Sequence, residues 1–186
     1  MEGLDLFGQP TGVHRWADLS GCGTFRWALG RSWSDGPRIA WLMLNPSRAD
    51  ADRDDPTLLR VTSFSRRWGY GSLVVINQHA YRSPNPEVLA AWLARGAGVA
   101  RAAVLNAARV AREVEGCRAV VAAWGAGGDC AAGAALLEGR PALCLGTTAS
   151  GAPKHPLARG RARVPDDFVP IPWAGPAPRA SRAAPQ

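Results

Sequence analysis

Four aspartates fall within six positions of one short segment: Asp50, Asp52, Asp54 and Asp55, in NPSRADADRDD. Like charges held that close cost electrostatic energy unless cations or hydrogen bonds offset them. Two chemistries would use the arrangement: a carboxylate acting as general base on water, or a Mg²⁺ site built from carboxylate oxygens. Two of the four have plainer uses. Asp55 precedes Pro56 as an N-cap does, and Asp54 puts negative charge where a helix N-terminus favours it. Asp50 and Asp52 are therefore the catalytic candidates, with Asn45 and Ser47 of the same segment as ligand-binding candidates.

Asn45 and Asn77 each follow an apolar run. A carboxamide offers a donor and an acceptor together, the pair that matches a nucleobase edge or another amide. An Asn in that position also closes turns on its own backbone, and the residue type alone leaves both uses open. Tyr81-Arg82 combines a stacking ring with an anion-binding guanidinium. Trp124-Gly125 ends a third apolar run. In GAPKHPL, Lys154 and His155 stand between prolines; the stiff backbone suits an imidazole held over a crevice, and nearby positive charge from Arg159, Arg161 and Arg163 favours a phosphate or a developing anion. Catalytic roles are assigned to Asp50, Asp52 and His155, and ligand binding to Asn45, Ser47, Asn77, Tyr81, Arg82, Trp124 and Lys154.

The elements that must position these residues follow from hydrophobic pattern. Residues 22–29 alternate weakly and predict a hairpin strand. Residues 39–44 (IAWLML), 73–76 (LVVI), 119–123 and 142–145 are short apolar runs, as strands buried on both faces are. Asp55-Pro56 opens a helix with Val61, Phe64 and Trp68 at helical spacing, stopped by Gly69. Residues 87–93, 99–114 and 129–137 are also expected to be helical, the second with Val99, Ala103, Val110 and Val114 on its apolar face. Helices alternating with strands predict a three-layer α/β/α sandwich: a mostly parallel central sheet covered on both faces, with an antiparallel hairpin strand at one edge. Ligands of open α/β sheets bind outside the carboxyl ends of the strands, so the four strand-ending segments should build one site.

Composition bounds the rest. Of the 186 residues 47% are hydrophobic and 20% charged, which is globular and not disordered. Residues 1–18 show no sustained period and are expected to be a flexible segment, residues 19–173 a single α/β domain, and residues 174–186 a disordered Pro/Ala-rich tail. The net charge is +7, and Lys154 is the only lysine, so arginine dominates a balance suited to an anionic partner. Eight Trp raise the prospect of base stacking. The four cysteines show no C-x-x-C pairing, and P-loop, G-x-G-x-x-G and nucleophile-elbow motifs are missing, so neither metal nor cofactor is expected. No apolar run is long enough to span a bilayer, and the opening residues do not read as a signal peptide; a cytoplasmic protein is expected.

The segments MLNPSRADADRDDPT, FSRRWGYGSLVVIN, AYR, VVAAWG and CLGTTASGAPKHPL, with Pro172-Trp173, resemble in content and order a bacterial family known as domain of unknown function 1643. The resemblance runs over residues 27–173 and implies no activity. The chain departs from that pattern at Gln78-His79, where Leu-Phe is usual, and around Arg95 to Ala102. A second resemblance concerns architecture: an Asn-Pro loop, a strand-ending Asn, Trp-Gly after a third strand and a late His-Pro is similar to the uracil-DNA glycosylase superfamily. That likeness implies water activation near Asn45 or the following aspartates, base reading by Asn77, and stabilisation of the leaving base by His155.

Together these readings predict a protein acting on a nucleobase, nucleotide or nucleic acid, most concretely by hydrolysis of an N-glycosidic bond. The alternatives are a non-catalytic nucleic-acid or modified-nucleotide binder and a Mg²⁺-dependent phosphohydrolase. A nucleotide or nucleic-acid partner is expected, and no membrane.

Overall fold

The computed structural model describes residues 12–176. Residues 1–11 and 177–186, most of the two expected terminal segments, lie outside them. In chain order the elements are β1 (His14–Leu19), β2 (Arg26–Ser32), β3 (Arg38–Met43), α1 (Pro56–Arg67), β4 (Ser72–Asn77), α2 (Pro86–Leu93), α3 (Ala97–Glu115), β5 (Ala119–Ala122), α4 (Cys130–Leu136), β6 (Leu143–Cys144), a 3₁₀ turn (Gly160–Ala162) and β7 (Ile171–Pro172). The strands form one sheet in the order β1-β2-β4-β3-β5-β6-β7.

The sheet is mixed. Three neighbouring pairs are antiparallel and three parallel, which corrects the expectation of a mostly parallel sheet. Parallel pairing is confined to β4, β3, β5 and β6, the strands joined through helices; β1 and β7 reach their neighbours without a crossover helix and run antiparallel, and β2 lies antiparallel against β4, from which β3 and α1 separate it in the chain. The hairpin strand is also not at the edge. β2 lies between β1 and β4 and is buried along nearly its whole length, and β1 forms the edge. Residues 14–18, read as aperiodic, belong to β1, whose burial is intermediate on both faces and so leaves no alternation in its sequence.

Side chains on the two faces of the sheet build two core clusters, as alternation along a strand requires. Ile39, Trp41, Leu73 and Val75 pack with Leu58, Val61 and Phe64 of α1. Ala40, Leu42, Val74 and Ile76 pack with Val110 and Val114 of α3. α1 starts as its sequence predicts: Asp55 Oδ1 accepts from the Leu58 N–H at 2.8 Å, Pro56 takes the first turn, and Gly69 follows the helix with φ +80°. Ser65 is a buried hydroxyl within this helix. It donates to the Val61 carbonyl and accepts from Trp41 Nε1, so neither polar group is left unpaired in the core.

On α3 the sheet-facing residues are Ala102, Asn106, Val110 and Val114, and Ala103 is exposed, contrary to the expected stripe. Asn106 explains the offset: its Nδ2 donates to the carbonyls of Asn77 and Gln78, tying the helix to the end of β4. Trp27, Trp41, Trp92 and Trp124 are buried, and Trp16, Trp33, Trp68 and Trp173 pack half-buried against the core. Trp41 stacks with Trp68, Tyr81 stacks on Trp92, and Trp124 meets Trp173 edge to face. Among the described residues no single helix is long and apolar enough to cross a membrane.

Candidate functional site

Register sets the site. Met43 pairs with Asn77, Leu42 with Ala122, and Ala122 with Cys144, so β3, β4, β5 and β6 end at one level. β2 runs the other way and presents its first residue there: the Arg26 N–H donates to the Ala80 carbonyl at 2.9 Å. At this edge lies a cavity of about 200 Å³ lined by Arg26, Asn45, Ser47, Asp55, Asn77, Trp124 and His155, with Leu29, Met43, Val61 and Val75 among its apolar walls. It is smaller than the roughly 300–1,000 Å³ of sites for drug-sized ligands.

Its polar groups are unusually uncommitted. Asn77 is 1% exposed, and neither its Oδ1 nor its Nδ2 has a protein partner. Arg26 Nε and Trp124 Nε1 are likewise buried without one. Buried polar groups are nearly always satisfied, and an orphan costs about 1–3 kcal/mol. Asn106 Oδ1 and Trp173 Nε1 are unpaired too and lie away from the cavity; three such residues around one cavity are what a site completed by a ligand would show. Arg26 is otherwise held by the bond from its Nη1 to the Ala49 carbonyl at 2.6 Å. Burial lowers its pKa to about 10; Asp55 opposes that shift, and Arg82 and Arg31 add to it.

His155 enters from the loop after β6. That loop is pinned on both sides: the Gly125 N–H donates to the Pro153 carbonyl, and the Lys154 N–H to the Gly146 carbonyl, each at 2.9 Å. His155 Nδ1 accepts from the Leu157 N–H at 3.1 Å. A ring nitrogen that accepts carries no proton, so in the neutral imidazole the proton sits on Nε2. Burial lowers the His155 pKa below the ordinary 6.5, with the charge of Asp55 opposing, which favours that neutral donor at pH 7.

The carboxylate of the cavity is Asp55. Asp50 and Asp52 do not line it. Asp50 organises its own loop, its Oδ1 accepting from the N–H groups of Asp52 and Arg53 while its carbonyl accepts from Arg31. Asp52 is exposed. Asp54 binds Arg31 at 2.7 Å and lies 3.3 Å from Arg15. The repulsion within the aspartate segment is thus offset largely by arginines of β1 and β2. The four carboxylates do not converge, and among the described residues no three His, Cys, Asp or Glu side chains gather as a metal site would need.

Of the remaining sequence candidates, Asn45, Ser47 and Trp124 line the cavity. Asn45 spends its Nδ2 on the carbonyls of Ser83 and Pro46, so it ties its own loop to the one that follows β4. Tyr81 and Arg82 line a neighbouring groove, and Lys154 lies beside Gly146 outside the cavity. Arg159 and Arg163 are apart from it as well, near Arg60 and Asp166. Residues that sequence reasoning did not assign to the site are Arg26, Asp55, Asn106 and Gln78. Gln78 exchanges two bonds with the backbone of Asp129, the N-cap of α4: Nε2 to its carbonyl at 2.8 Å, and its N–H to Oε1 at 3.1 Å. An Arg inside the apolar run FRWALG was the available signal for Arg26.

Fold and site together define an α/β protein with a small, donor-rich cavity where its parallel strands end. The chain belongs to the family described as protein of unknown function (DUF1643), which residues 26–157 match. No curated protein and no solved structure matches it.

Proposed function

We propose that the cavity binds the cyclic-amide edge of a nucleobase and that the protein hydrolyses the N-glycosidic bond to that base. The observation that carries the reading is the Asn77 carboxamide, buried in the cavity wall with donor and acceptor both unpaired. A carboxamide so placed complements an adjacent N–H and C=O on a ring. Arg26 Nε and His155 Nε2 add donors, so carbonyl-bearing bases fit better than amino-bearing ones. The volume suits one heterocycle.

In the hydrolysis, Asp55 orients a water and accepts its proton as the water oxygen bonds to the anomeric carbon. The C–N bond breaks with its electron pair going to the base. The neutral imidazole of His155 donates a hydrogen bond to the negative charge that develops there, and the proton held by Asp55 returns to the departing base. Asp55 takes the part first assigned to Asp50 or Asp52. The resemblance of the motif order in the sequence to uracil-DNA glycosylases is consistent with this scheme and adds no step to it.

A second reading is a binder without turnover. It is favoured by one feature: Asp55 Oδ1 is already engaged by the Leu58 N–H. The two readings separate in one assay. Purified protein is incubated with nucleosides and with DNA carrying uracil or modified bases, and released base is followed by chromatography. Catalysis predicts release that falls about 100-fold or more in Asp55→Asn. Binding without release establishes the binder, and failure of every base and nucleoside to bind sinks both.

A further inference from the structure

Beside the cavity lies a second, shallower depression of about 520 Å³, lined by Gly23, Thr24, Ser47, Arg48, Arg53, Tyr81, Arg82 and Pro84. Ser47 and Pro84 line both, so the two spaces adjoin. Three arginines line the groove and no carboxylate does. Arg48 and Arg53 are exposed, and neither has a side-chain carboxylate partner among the described residues. Arg82 is braced: its Nη1 donates to the Gly23 carbonyl at 3.3 Å, and its Nη2 is 4.0 Å from Asp50 Oδ2. Asp50, the acid that faces Arg82, has Oδ1 committed to two backbone N–H groups.

We propose that this groove binds the phosphate attached to the ligand whose base occupies the cavity, so that the natural ligand is a phosphorylated nucleotide unit, either free or within a single strand. The inference rests on the base-binding reading of the cavity and names the class of ligand. Guanidinium groups grip phosphate oxygens through paired N–H donors, and three of them line this depression, two without a carboxylate partner and Arg82 facing Asp50 at 4.0 Å, so the positive charge is only partly offset. Hydroxyls of Ser47 and Thr24 add neutral donors. The route from the cavity to the arginines passes Ser47 and Pro84, as a base with its phosphate outside would.

The test titrates the intact chain with a nucleoside, its 5′-monophosphate and a short labelled single strand over a range of salt, using Arg48→Gln, Arg53→Gln and Asn77→Leu. If the ligand is a strand, each arginine change lowers the slope of log affinity against log salt by about 0.7, and Asn77→Leu weakens binding without altering the slope. If it is a mononucleotide, the monophosphate binds about tenfold or more tightly than the nucleoside, either arginine change erases that preference, and strand length adds nothing. Equal affinity for nucleoside and monophosphate, with slopes unmoved by the arginine variants, overturns the groove and leaves the cavity reading standing. Arginine-dependent binding indifferent to Asn77 keeps the groove and sinks the base-binding reading. If none of the three ligands binds, both fall.

Discussion

A Cβ placed on Gly125 would stand 3.2 Å from the Cβ of His155, with the backbone of Gly125 at φ +77°. This contact sets how close the Trp124-Gly125 segment and the His155 loop can lie. Glycine serves two purposes here: it accepts a conformation that costs an L-residue about 1–2 kcal/mol, and it leaves room for the imidazole stem. Gly69 has φ +80° but nothing within 4 Å of its Cβ position. Gly125→Ala and Gly69→Ala are therefore expected to lose similar stability, about 1–2 kcal/mol in urea unfolding. Only Gly125→Ala should also weaken nucleobase binding, because only there does the methyl displace His155. Equal effects of the two changes on binding would show that the contact does not position the imidazole.

The imidazoles of His155 and His79 both titrate below 6.5, burial being the chief cause in each, with Asp55 and Asp129 respectively opposing. The sign of the consequence is fixed by linkage. Below about pH 6.5 the unfolded chain binds protons that these native imidazoles refuse, so stability rises with pH through the window between the depressed native values and 6.5, and is flat above it. His155→Asn keeps an acceptor near the position of Nδ1 for the Leu157 N–H. It is expected to show a smaller stability loss between about pH 7.5 and pH 5 than the parent protein, read from denaturant midpoints. An unchanged pH dependence would mean that His155 is solvated in the native state.

Much of this site was legible because parallel strands in register end together. Residues 39–44 and 73–76 announced themselves as buried strands, and the rule that ligands gather at carboxyl ends then selected Asn77, Trp124 and His155 without any contact being known. The sequence shows Arg26 as a charge inside an apolar run but cannot place it, for a definite reason. Its place depends on β2 lying antiparallel against β4, a pairing between segments far apart in the chain for which no local signal exists. Asp55 was read as an N-cap and is one; that the same carboxylate also lines the cavity depends on where α1 docks. Nothing in the sequence singles out Asn106 on α3, because its partners are two carbonyls at the end of a distant strand. β7 is two residues long and β1 is half exposed, so neither carries a period to detect.

Gly133 lies within α4, where alanine would normally gain about 1 kcal/mol of helix propensity. Here a Cβ would fall 2.4 Å from the Trp124 ring and 2.8 Å from Gln78 Nε2. Trp124 is 2% exposed, and Gln78 is held by two bonds to Asp129, so neither can yield cheaply. Overpacking of this kind costs about 1–3 kcal/mol and outweighs the propensity gain. Gly133→Ala is expected to lower the denaturant midpoint and shift Trp124 fluorescence. A stabilised variant would show that α4 can move away from the indole at little cost.

Asn77 offers the most direct test of whether the cavity is a site at all. A buried carboxamide with two unpaired atoms destabilises the fold, and its retention is explained if a ligand supplies the missing bonds. Leu is close to Asn in shape and has no polar atoms to satisfy. Asn77→Leu is therefore expected to raise stability by about 1–3 kcal/mol, because it removes an uncompensated desolvation penalty. The backbone carbonyl of residue 77 keeps its bond from Asn106. Base binding should weaken at the same time by about tenfold or more. Stability comes from urea unfolding and binding from quenching of Trp124, which lines the same cavity. A destabilised Asn77→Leu that still binds would mean that the carboxamide is satisfied within the native protein and that recognition lies elsewhere.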